Sequence, residues 1–428
     1  MNRGKATGEG WRLLTLTSDM TAERSTVLVS LHGPDRPGIS AALMSVLEAT
    51  DAEIYDIEQI VVRQRLTLDL LIGVAAERVT VRDLLFFAWQ QGLHVEFEVV
   101  DPNPTPLKRM SVVTIIGPIV GPAEFGSVAS AIADGDGNIE RIVRLSRYPV
   151  ISYELTISDG DIDQIRAALV KVAAGSPIDV AIQPDGLGRR AKRMVVMDVD
   201  STLIMDEVID LLAREAGVEE KVSELTSAAM AGEIEFEESL RQRVSLLAGL
   251  DEGAIGRVAA AITLTPGART LIRTLRRMGI KTAIVSAGFT RFTSALADQL
   301  GIDYSLSNTL DIKDGFLTGG LVGDFVDGPR KAKFLEEIAA AEGIPLDQVV
   351  AVGDGANDLE MLAVAGLGIA FNAKQVVTEA VETSITVPFL DAILFLLGIQ
   401  REHVEAADYE DPEFEQPPLM IIPGPPPT

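Results

Sequence analysis

Met194-Val195-Val196-Met197-Asp198-Val199-Asp200-Ser201-Thr202 is the stretch around which the chain is organised. Its apolar residues run unbroken into two aspartates one residue apart, followed by two hydroxyls. A near-continuous apolar run is the mark of a parallel strand covered on both faces. In open α/β sheets, ligands gather outside the carboxyl ends of the strands, where Asp198 emerges. Side chains alternate along an extended backbone, so Asp198 and Asp200 leave on the same side. Carboxylates placed there repel each other unless a cation or a proton lies between them. By itself the pair reads equally well as a loop capping a helix. A calcium loop is excluded, because Thr202 and Leu203 stand where it needs Asp or Asn and then Gly.

The chain has 428 residues, enough for roughly two to four domains. Composition is that of a globular protein, 47% apolar and 23% charged. No apolar run reaches the ~18 residues needed to cross a bilayer, and the N-terminus lacks a signal-peptide core. With 63 acidic and 37 basic residues the net charge is -26. Such a surface repels nucleic acid and anionic membranes, so neither is expected as a partner. The absence of cysteine excludes disulfides, thiolate metal sites and a cysteine nucleophile, and fits a cytoplasmic protein. Three scattered histidines, His32, His94 and His403, argue against a histidine-centred triad or zinc site.

Outward from the central strand, the N-terminal half reads as a duplication. Residues 26–31 form a strand that enters the turn Gly33-Pro-Asp-Arg-Pro-Gly38. A helix over 39–49, strands over 54–62 and 67–74, a helix over 80–91 with Thr80 as N-cap, and a strand over 95–99 complete a βαββαβ unit. A proline-rich linker follows at 101–106. The pattern then returns with a strand at 112–117, a helix at 125–132, strands at 139–145 and 150–157, a helix at 162–173 and a strand at 178–183. Gly33-Pro34 and Gly117-Pro118 occupy equivalent turns, which indicates an internal repeat. Asp134-Gly-Asp-Gly-Asn138 lacks the glycine and closing glutamate of a calcium loop and reads as a hairpin turn.

Beyond a basic linker at 184–193, residues 206–262 read as amphipathic helices broken at Gly217, Gly232 and Gly249. From Thr265 onward strands and helices alternate, with apolar strands at 281–285, 349–352 and 367–370 and a hairpin flap at 310–325. The expected fold class is α/β: a doubly wound parallel sheet with a helical cap inserted after its first strand, preceded by two ferredoxin-like βαββαβ domains. The expected divisions are a flexible start at 1–23, domains at 24–101 and 108–184, a core at 190–205 and 264–400, a cap at 206–263, and a disordered acidic, proline-rich tail at 401–428.

Three further features fall at strand ends of this sheet: Ser286, Lys331 at the start of a helix, and Gly353-Asp-Gly-Ala-Asn-Asp358. Alone these read as a helix cap, a solvated charge and a turn. Together with Asp198 and Asp200, in that order, they fit phosphoryl transfer. A phosphate monoester is a dianion that repels a carboxylate nucleophile, so the site needs a lysine and a divalent cation held by oxygens. Asp198, Asp354 and a backbone carbonyl near Asp200 suit Mg²⁺. Asp198 is then the nucleophile and Asp200 the general acid and base.

This set resembles the four motifs of haloacid dehalogenase-type phosphatases over residues 194–397. An aspartate at position 200, where the transport ATPases of that superfamily differ, favours a phosphohydrolase. Asp198-Val-Asp-Ser-Thr-Leu-Ile204, Glu207, Met230, Phe236, Ser239-Leu-Arg-Gln-Arg-Val-Ser-Leu-Leu247 and Val285-Ser-Ala-Gly-Phe289 are similar, more narrowly, to the phosphoserine phosphatase family. The resemblance implies hydrolysis of O-phospho-L-serine to L-serine and phosphate, the last step of serine biosynthesis. It implies that Glu207 pairs with the substrate ammonium and Arg243 with its carboxylate, while Met230 and Phe236 cover it. Ser286, Ala287, Gly288 and Lys331 would hold the phosphate. Asn357 would support the substrate, and Asp358 would stand behind the metal ligands Asp198, Asp200 and Asp354. Ala287 departs from the glycine common in that family. The N-terminal repeats resemble ACT domains, which bind amino acids. That likeness implies L-serine as an effector held near Gly33, Asp35 and Gly38, and a homodimer. A phosphatase for another small ester or a phosphorylated protein side chain, and an amino-acid-binding regulator without catalysis, are the alternatives.

Overall fold

The computed structural model describes residues 24–75, 77–101, 108–230 and 233–411. It divides into two units between Leu107 and Lys108. The proposed linker at 101–106, the start at 1–23 and the end at 412–428 lie largely or wholly outside the described residues.

The first unit contains β1 (Ser25–Pro34), α1 (Ile39–Ala49), β2 (Glu53–Val62), β3 (Arg65–Val74), α2 (Glu77–Gln91) and β4 (His94–Val99). Its sheet runs β2-β3-β1-β4, and every pairing is antiparallel. Ile39, Leu43 and Leu47, at helical spacing on α1, pack on Val27, Val29 and Leu31 of β1 and on alternate residues of β3. Each such burial contributes about 1.5–3 kcal/mol. Gly38, at φ 94°, turns the chain from β1 into α1. Thr80 is not an N-cap: α2 begins earlier, at Glu77, and Thr80 is buried within it. Glu77 and Arg78 are good helix formers and carry the helix past the expected start.

The second unit opens with the same arrangement: β5 (Met110–Gly117), α3 (Pro122–Asp134), β6 (Gly137–Ser146), β7 (Ile151–Asp159), α4 (Ile162–Ala174) and β8 (Asp179–Pro184), in sheet order β6-β7-β5-β8. Residues 134–138 do not form a hairpin turn. They carry the end of α3 into β6, with Asp136 at φ 60°, because the helix runs to Asp134 before the chain reverses. The repeat has a steric counterpart. A Cβ on Gly33 would meet Leu93 Cδ2 at 2.6 Å, and one on Gly117 would meet Ile178 Cγ2 at 2.8 Å.

After the short helix α5 (Leu187–Arg190) comes the core sheet, ordered β12-β11-β10-β9-β13-β14-β15. Its strands are β9 (Met194–Met197), β10 (Lys281–Phe289), β11 (Tyr304–Lys313), β12 (Phe316–Val322), β13 (Val349–Gly353), β14 (Leu367–Phe371) and β15 (Thr383–Ile385). All pairings are parallel except that of β11 with β12, the hairpin flap. Every residue of β9 is fully buried. The strand lies between β10 and β13, at the point where the winding reverses, and Asp198 is delivered to the crevice there.

The cap comprises α6 (Val208–Ala216), α7 (Glu219–Met230), α8 (Phe236–Ser245) and α9 (Gly253–Ala261). Around the sheet lie α10 (Ala268–Arg277), α11 (Thr290–Leu300), α12 (Gly328–Ala341), α13 (Leu359–Val364), α14 (Gln375–Ala380) and α15 (Ile393–Leu396). The expected disorder from residue 401 is corrected by α16 (Arg401–Glu410). Val404 is buried, and Asp408 accepts from Arg273 Nε at 2.8 Å and also bonds Arg277, both on α10. The acidic composition hides this helix because its charges are paired with the core.

The second ACT-like repeat shares its packing with the core. Ile116, Leu145, Val150 and Ala181 belong to one buried cluster with Val195, Met197 and Leu394. The Asp179 carboxylate accepts from Thr386 N and Oγ1, each at 2.8 Å.

Candidate active site

The turn after β9 sets the first two carboxylates. Asp198 N donates to Val352 O at 2.9 Å, tying the strand end to β13. Three residues on, Ser201 adopts φ 57°, a left-handed conformation that costs a non-glycine residue about 1–2 kcal/mol. That kink turns the chain toward the cap, where Ser201 Oγ donates to Glu207 Oε1 at 2.9 Å. Thr265 Oγ1 holds the turn from behind by donating to Thr202 O at 2.7 Å.

The centre is a buried ion cluster. Lys331, in the first turn of α12, is fully buried; its Nζ lies 2.5 Å from Asp198 Oδ1 and 2.7 Å from Asp358 Oδ1. Asp327 starts that helix by accepting from Arg330 N at 2.9 Å. Asp358 Oδ2 accepts from Gly355 N at 3.0 Å, so both its oxygens are engaged. Asp198, Asp354 and Asp358 each offer a carboxylate oxygen, all within 4.8 Å of one another. Three carboxylates against one ammonium leave excess negative charge in a buried space. Burial, then the Asp358 charge, push Asp354 up to about 6. Burial and Asp358 likewise raise Asp198 well above the carboxylate range, against the pull of Lys331. Burial lowers Lys331, but the Asp198 and Asp358 charges and hydrogen bonds outweigh it, so its pKa ends above the ordinary lysine value. A hard cation with oxygen ligands fits this donor set, since it removes the repulsion that raises those pKa values.

Asp200 points elsewhere. Its Oδ1 accepts from Val208 N at 2.8 Å and its Oδ2 from Ser286 Oγ at 2.9 Å. Burial raises its pKa, against these bonds. The side-chain cluster is therefore Asp198, Asp354 and Asp358, and Asp200 stands apart from it, bonded to Ser286. At the end of β10, Gly288 N donates to Ser286 Oγ at 2.7 Å. Neither Ala287 nor Gly288 has a positive φ. What Gly288 supplies is space, because a Cβ there would lie 2.9 Å from both Asp200 Oδ2 and Ser286 Oγ.

The cap contributes Glu207 at the start of α6 and Arg243 on α8. Surrounding protein and then Asp200 push Glu207 up to about 7. Its side chain nevertheless keeps solvent access, and water screens that crowding. Arg243 is 8% exposed and makes no ion pair among the described residues. Its Nη1 donates to Thr226 Oγ1 at 3.3 Å and its Nε to Ser239 O at 3.4 Å. Burial lowers its pKa while Glu207, Asp210 and Asp200 oppose that shift. Phe236 is half-buried, with its ring 6.4 Å from that of Phe325. The Met230 side chain lies outside the described residues. Asn357 sits beside Asp358 on the loop after β13, half-buried. Gly33, Asp35 and Gly38 lie in the first unit at the junction of β1 and α1, where Asp35 N donates to Gln64 O at 2.8 Å.

Sequence reasoning missed Asn308 and Phe325. Asn308 is 1% exposed on β11; its Nδ2 donates to Ala287 O at 2.8 Å, and its Oδ1 accepts from Val326 N at 2.9 Å. It thus joins the Ser286 loop to the segment leading to Lys331. The available signal was an asparagine inside a strand, where that residue is depleted. Phe325 meets α8 from the end of the flap, with the Arg241 guanidinium 5.4 Å from its ring centre.

The haloacid dehalogenase-like hydrolase family matches residues 195–363, and ACT domains match 25–98 and 110–183. A phosphoserine phosphatase of Streptomyces coelicolor is 48% identical over 403 residues, covering 92% of this chain and 97% of that protein. One from Mycobacterium tuberculosis is 45% identical over 394 residues, covering 90% and 96%. Among solved structures, a haloacid dehalogenase family hydrolase from Salmonella enterica serovar Typhi superposes with TM-score 0.61 at 29% identity, over 67% of this chain and 98% of that one. A probable phosphoserine phosphatase from Vibrio cholerae gives TM-score 0.55 at 35% identity, over 67% and 86%. With such likeness along almost its whole length, the chain belongs to the phosphoserine phosphatase family of haloacid dehalogenase-like hydrolases and carries two N-terminal ACT domains.

Proposed function

We propose that the protein is a Mg²⁺-dependent phosphatase that hydrolyses O-phospho-L-serine to L-serine and phosphate through an aspartyl-phosphate at Asp198. The observation that carries this reading is the fully buried Lys331 ammonium bridging Asp198 and Asp358, beside Asp354. Asp198, Asp354 and the main-chain carbonyl of Asp200 would hold the cation, with Asp358 behind them. When bound, Mg²⁺ supplies neutralisation of the phosphate dianion. Asp198 Oδ attacks phosphorus while the bond to the seryl oxygen breaks, and Asp200, protonated, gives that oxygen its proton. Asp200, now a carboxylate, takes a proton from water as its oxygen attacks phosphorus. The acyl phosphate breaks, phosphate leaves and Asp198 is restored. Ser286 and Lys331 bind the phosphoryl oxygens, where hydrogen-bond donors act best in a dry site.

Arg243 supports an amino-acid substrate. A buried guanidinium with no ion-paired carboxylate among the described residues is suited to the carboxylate of the substrate, and Glu207, near enough to Asp200 and Asp354 to feel their charges, would meet its ammonium. Met230 and Phe236 would close over it. We place this reaction at the end of serine synthesis, in a cytoplasmic setting suggested by the cysteine-free chain. We propose L-serine as a feedback effector held near Gly33, Asp35 and Gly38. A homodimer is part of the same reading. The edge strand β2 exposes Ile54, Tyr55, Ile57, Ile60, Val61 and Val62, an unpaired apolar edge of the kind that pairs with another chain.

Phosphate release from O-phospho-L-serine in Mg²⁺, by wild type, Asp198→Asn and Arg243→Ala, tests the reading. Asp198→Asn is expected to lose at least about 10³-fold in kcat. Arg243→Ala should lose activity on phosphoserine far more than on p-nitrophenyl phosphate, which lacks the amino-acid head. Equal losses on the two substrates would remove the amino-acid specificity and leave a phosphatase for another ester.

A further inference from the structure

The cap is fastened to the core at two places. One is the hinge beside the catalytic turn, where Met205 N donates to Thr263 O at 2.9 Å and Ile204 bridges Leu264. The other is the hairpin flap. Gly249 N donates to Leu317 O at 2.8 Å, Leu317 N to Leu250 O at 2.9 Å, and Glu252 N to Gly315 O at 2.8 Å. The segment joining α8 to α9 thus runs antiparallel along the tip of the flap, with Asp251 opposite Phe316. The flap also returns to the catalytic core. Beyond β12 comes Phe325, and the next residue, Val326, is held by Asn308 Oδ1 at 2.9 Å ahead of Asp327, the cap of the helix that bears Lys331. Phe325 meets the opposite end of α8. Its ring lies 6.4 Å from that of Phe236, inclined at 60°, and the Arg241 guanidinium stands 5.4 Å from its centre. Glu237 steadies Arg241, accepting from its Nε at 2.8 Å and its Nη2 at 2.6 Å.

Helix α8 is therefore gripped by the flap at its C-terminal end and by Phe325 at its N-terminal end. Phe236 and Arg243 are seven residues apart, two helical turns, and share one face of α8. The hydrogen bonds of Arg243 among the described residues go to Thr226 and Ser239, both within the cap. Its own contacts thus fix it to the cap and not to the core, and its place over the cleft follows how α8 is seated. A tilted ring pair at this separation, with a cation over one face, holds two elements beyond what buried area alone supplies. We propose that Phe325 is a positioning residue for the amino-acid head of the substrate: acting through Phe236, it seats α8 so that Phe236 and Arg243 stand over the cleft. The proposal rests on the phosphoserine reading of the site. The phosphoryl group is held by Ser286 and Lys331, both of the core, so Phe325 bears on the head of the substrate and not on its phosphate.

Steady-state kinetics of the full-length protein in Mg²⁺, on O-phospho-L-serine and on ethyl phosphate, test it. Ethyl phosphate is the same ester without the ammonium and carboxylate. Phe325→Ala should raise KM for phosphoserine about three- to tenfold, the loss of one aromatic contact, and leave kcat within about twofold. On ethyl phosphate kcat/KM should stay within about twofold. Phe325→Tyr, which keeps the ring, should return KM for phosphoserine to the wild-type value. In Phe236→Ala protein the further change Phe325→Ala should raise KM less than about twofold, because the partner ring is already gone. Thermal unfolding checks that each variant is folded. Arg243→Ala separates two kinds of failure. If it leaves phosphoserine kinetics unchanged, the amino-acid reading and this proposal fall together. If it raises KM while Phe325→Ala does not, the reading stands and the proposal alone is overturned. Equal losses on the two esters would trace the effect to a disturbed Lys331 and overturn it as well. So would a Phe325→Tyr protein as impaired as Phe325→Ala, or full additivity with Phe236→Ala.

Discussion

Lys331 is the residue on which structure and chemistry depend together. It has no exposed surface, and its two carboxylate partners come from the ends of neighbouring strands. Lys331→Met should abolish turnover and destabilise the fold by about 3–5 kcal/mol, the cost of stranding buried charges. Urea unfolding alongside phosphate release checks both. The acidic cluster also fixes a pH dependence for the metal-free protein. Asp354 titrates near 6 when folded, against an ordinary 3.8. Below about 3.8 it is protonated in both states; between there and 6 the unfolded chain ionises first, so the folded state holds more protons and loses stability as pH rises. Metal-free stability should thus fall between about pH 4 and 6, by up to roughly 1.4 kcal/mol per unit from this group. Mg²⁺ should flatten that slope. Denaturant midpoints across this range, with and without Mg²⁺, measure it, and a rise in the metal-free protein would refute the assignment. At this scale the sequence was most legible for residues with few alternative uses: two aspartates at a strand end and a lysine after the flap. It did not show that the Asp200 carboxylate would turn to Ser286 and Val208 while Asp358 joined Asp198 and Asp354. That depends on side-chain directions fixed only once the turn at Ser201 has formed.

Among the elements, β10 and β11 act as one device. The end of β10 carries Ser286 and Gly288, and Asn308 on β11 holds it through Ala287 O while gripping Val326 before α12. Asn308→Ala should keep the fold but slacken both phosphate-binding segments. A drop in kcat of about ten- to a hundredfold is expected, since misplacement of about 1 Å can cost that much. Asn308→Asp should not rescue it, because a carboxylate cannot donate to Ala287 O. Gly288→Ala tests the space argument. Its Cβ would press on Asp200 and Ser286, so kcat should fall with little change in melting temperature. Periodicity revealed β9, β13 and β14 because buried parallel strands are apolar throughout. It missed the parallel half of β11, where Ser305, Ser307 and Asn308 interrupt the pattern, and β15, only three residues long. Thr80 and the turn after α3 were misread for one reason: helix ends are set by packing as much as by local signals.

In the whole molecule, the two ACT domains are alike in fold, and the second is built into the catalytic unit. Each has its own core. The second shares a buried cluster with the catalytic domain and is fastened to it by Asp179, Arg189 and Gln183, whose Nε2 donates to Leu396 O at 3.1 Å. Deleting residues 1–107 should leave a folded, active enzyme, whereas deleting 1–183 should expose Leu394 and its neighbours and lower the melting temperature by several degrees. Under the feedback reading, the 1–107 deletion should also lose any serine effect that is not simple product competition. The repeat was legible from paired Gly-Pro turns, but the second domain's packing on the core was not, because buried apolar residues look the same whether they face their own domain or the next.

The mechanism stands or falls on the transfer of phosphorus to Asp198. Enzyme quenched during turnover of O-phospho-L-serine, reduced with borohydride and digested for mass spectrometry, reads that transfer at a single residue. Reduction of an acyl phosphate converts the modified aspartate to homoserine. Homoserine is expected at position 198, present only when substrate and Mg²⁺ are both added. An unmodified Asp198 under full turnover, or homoserine at position 200 instead, would contradict it.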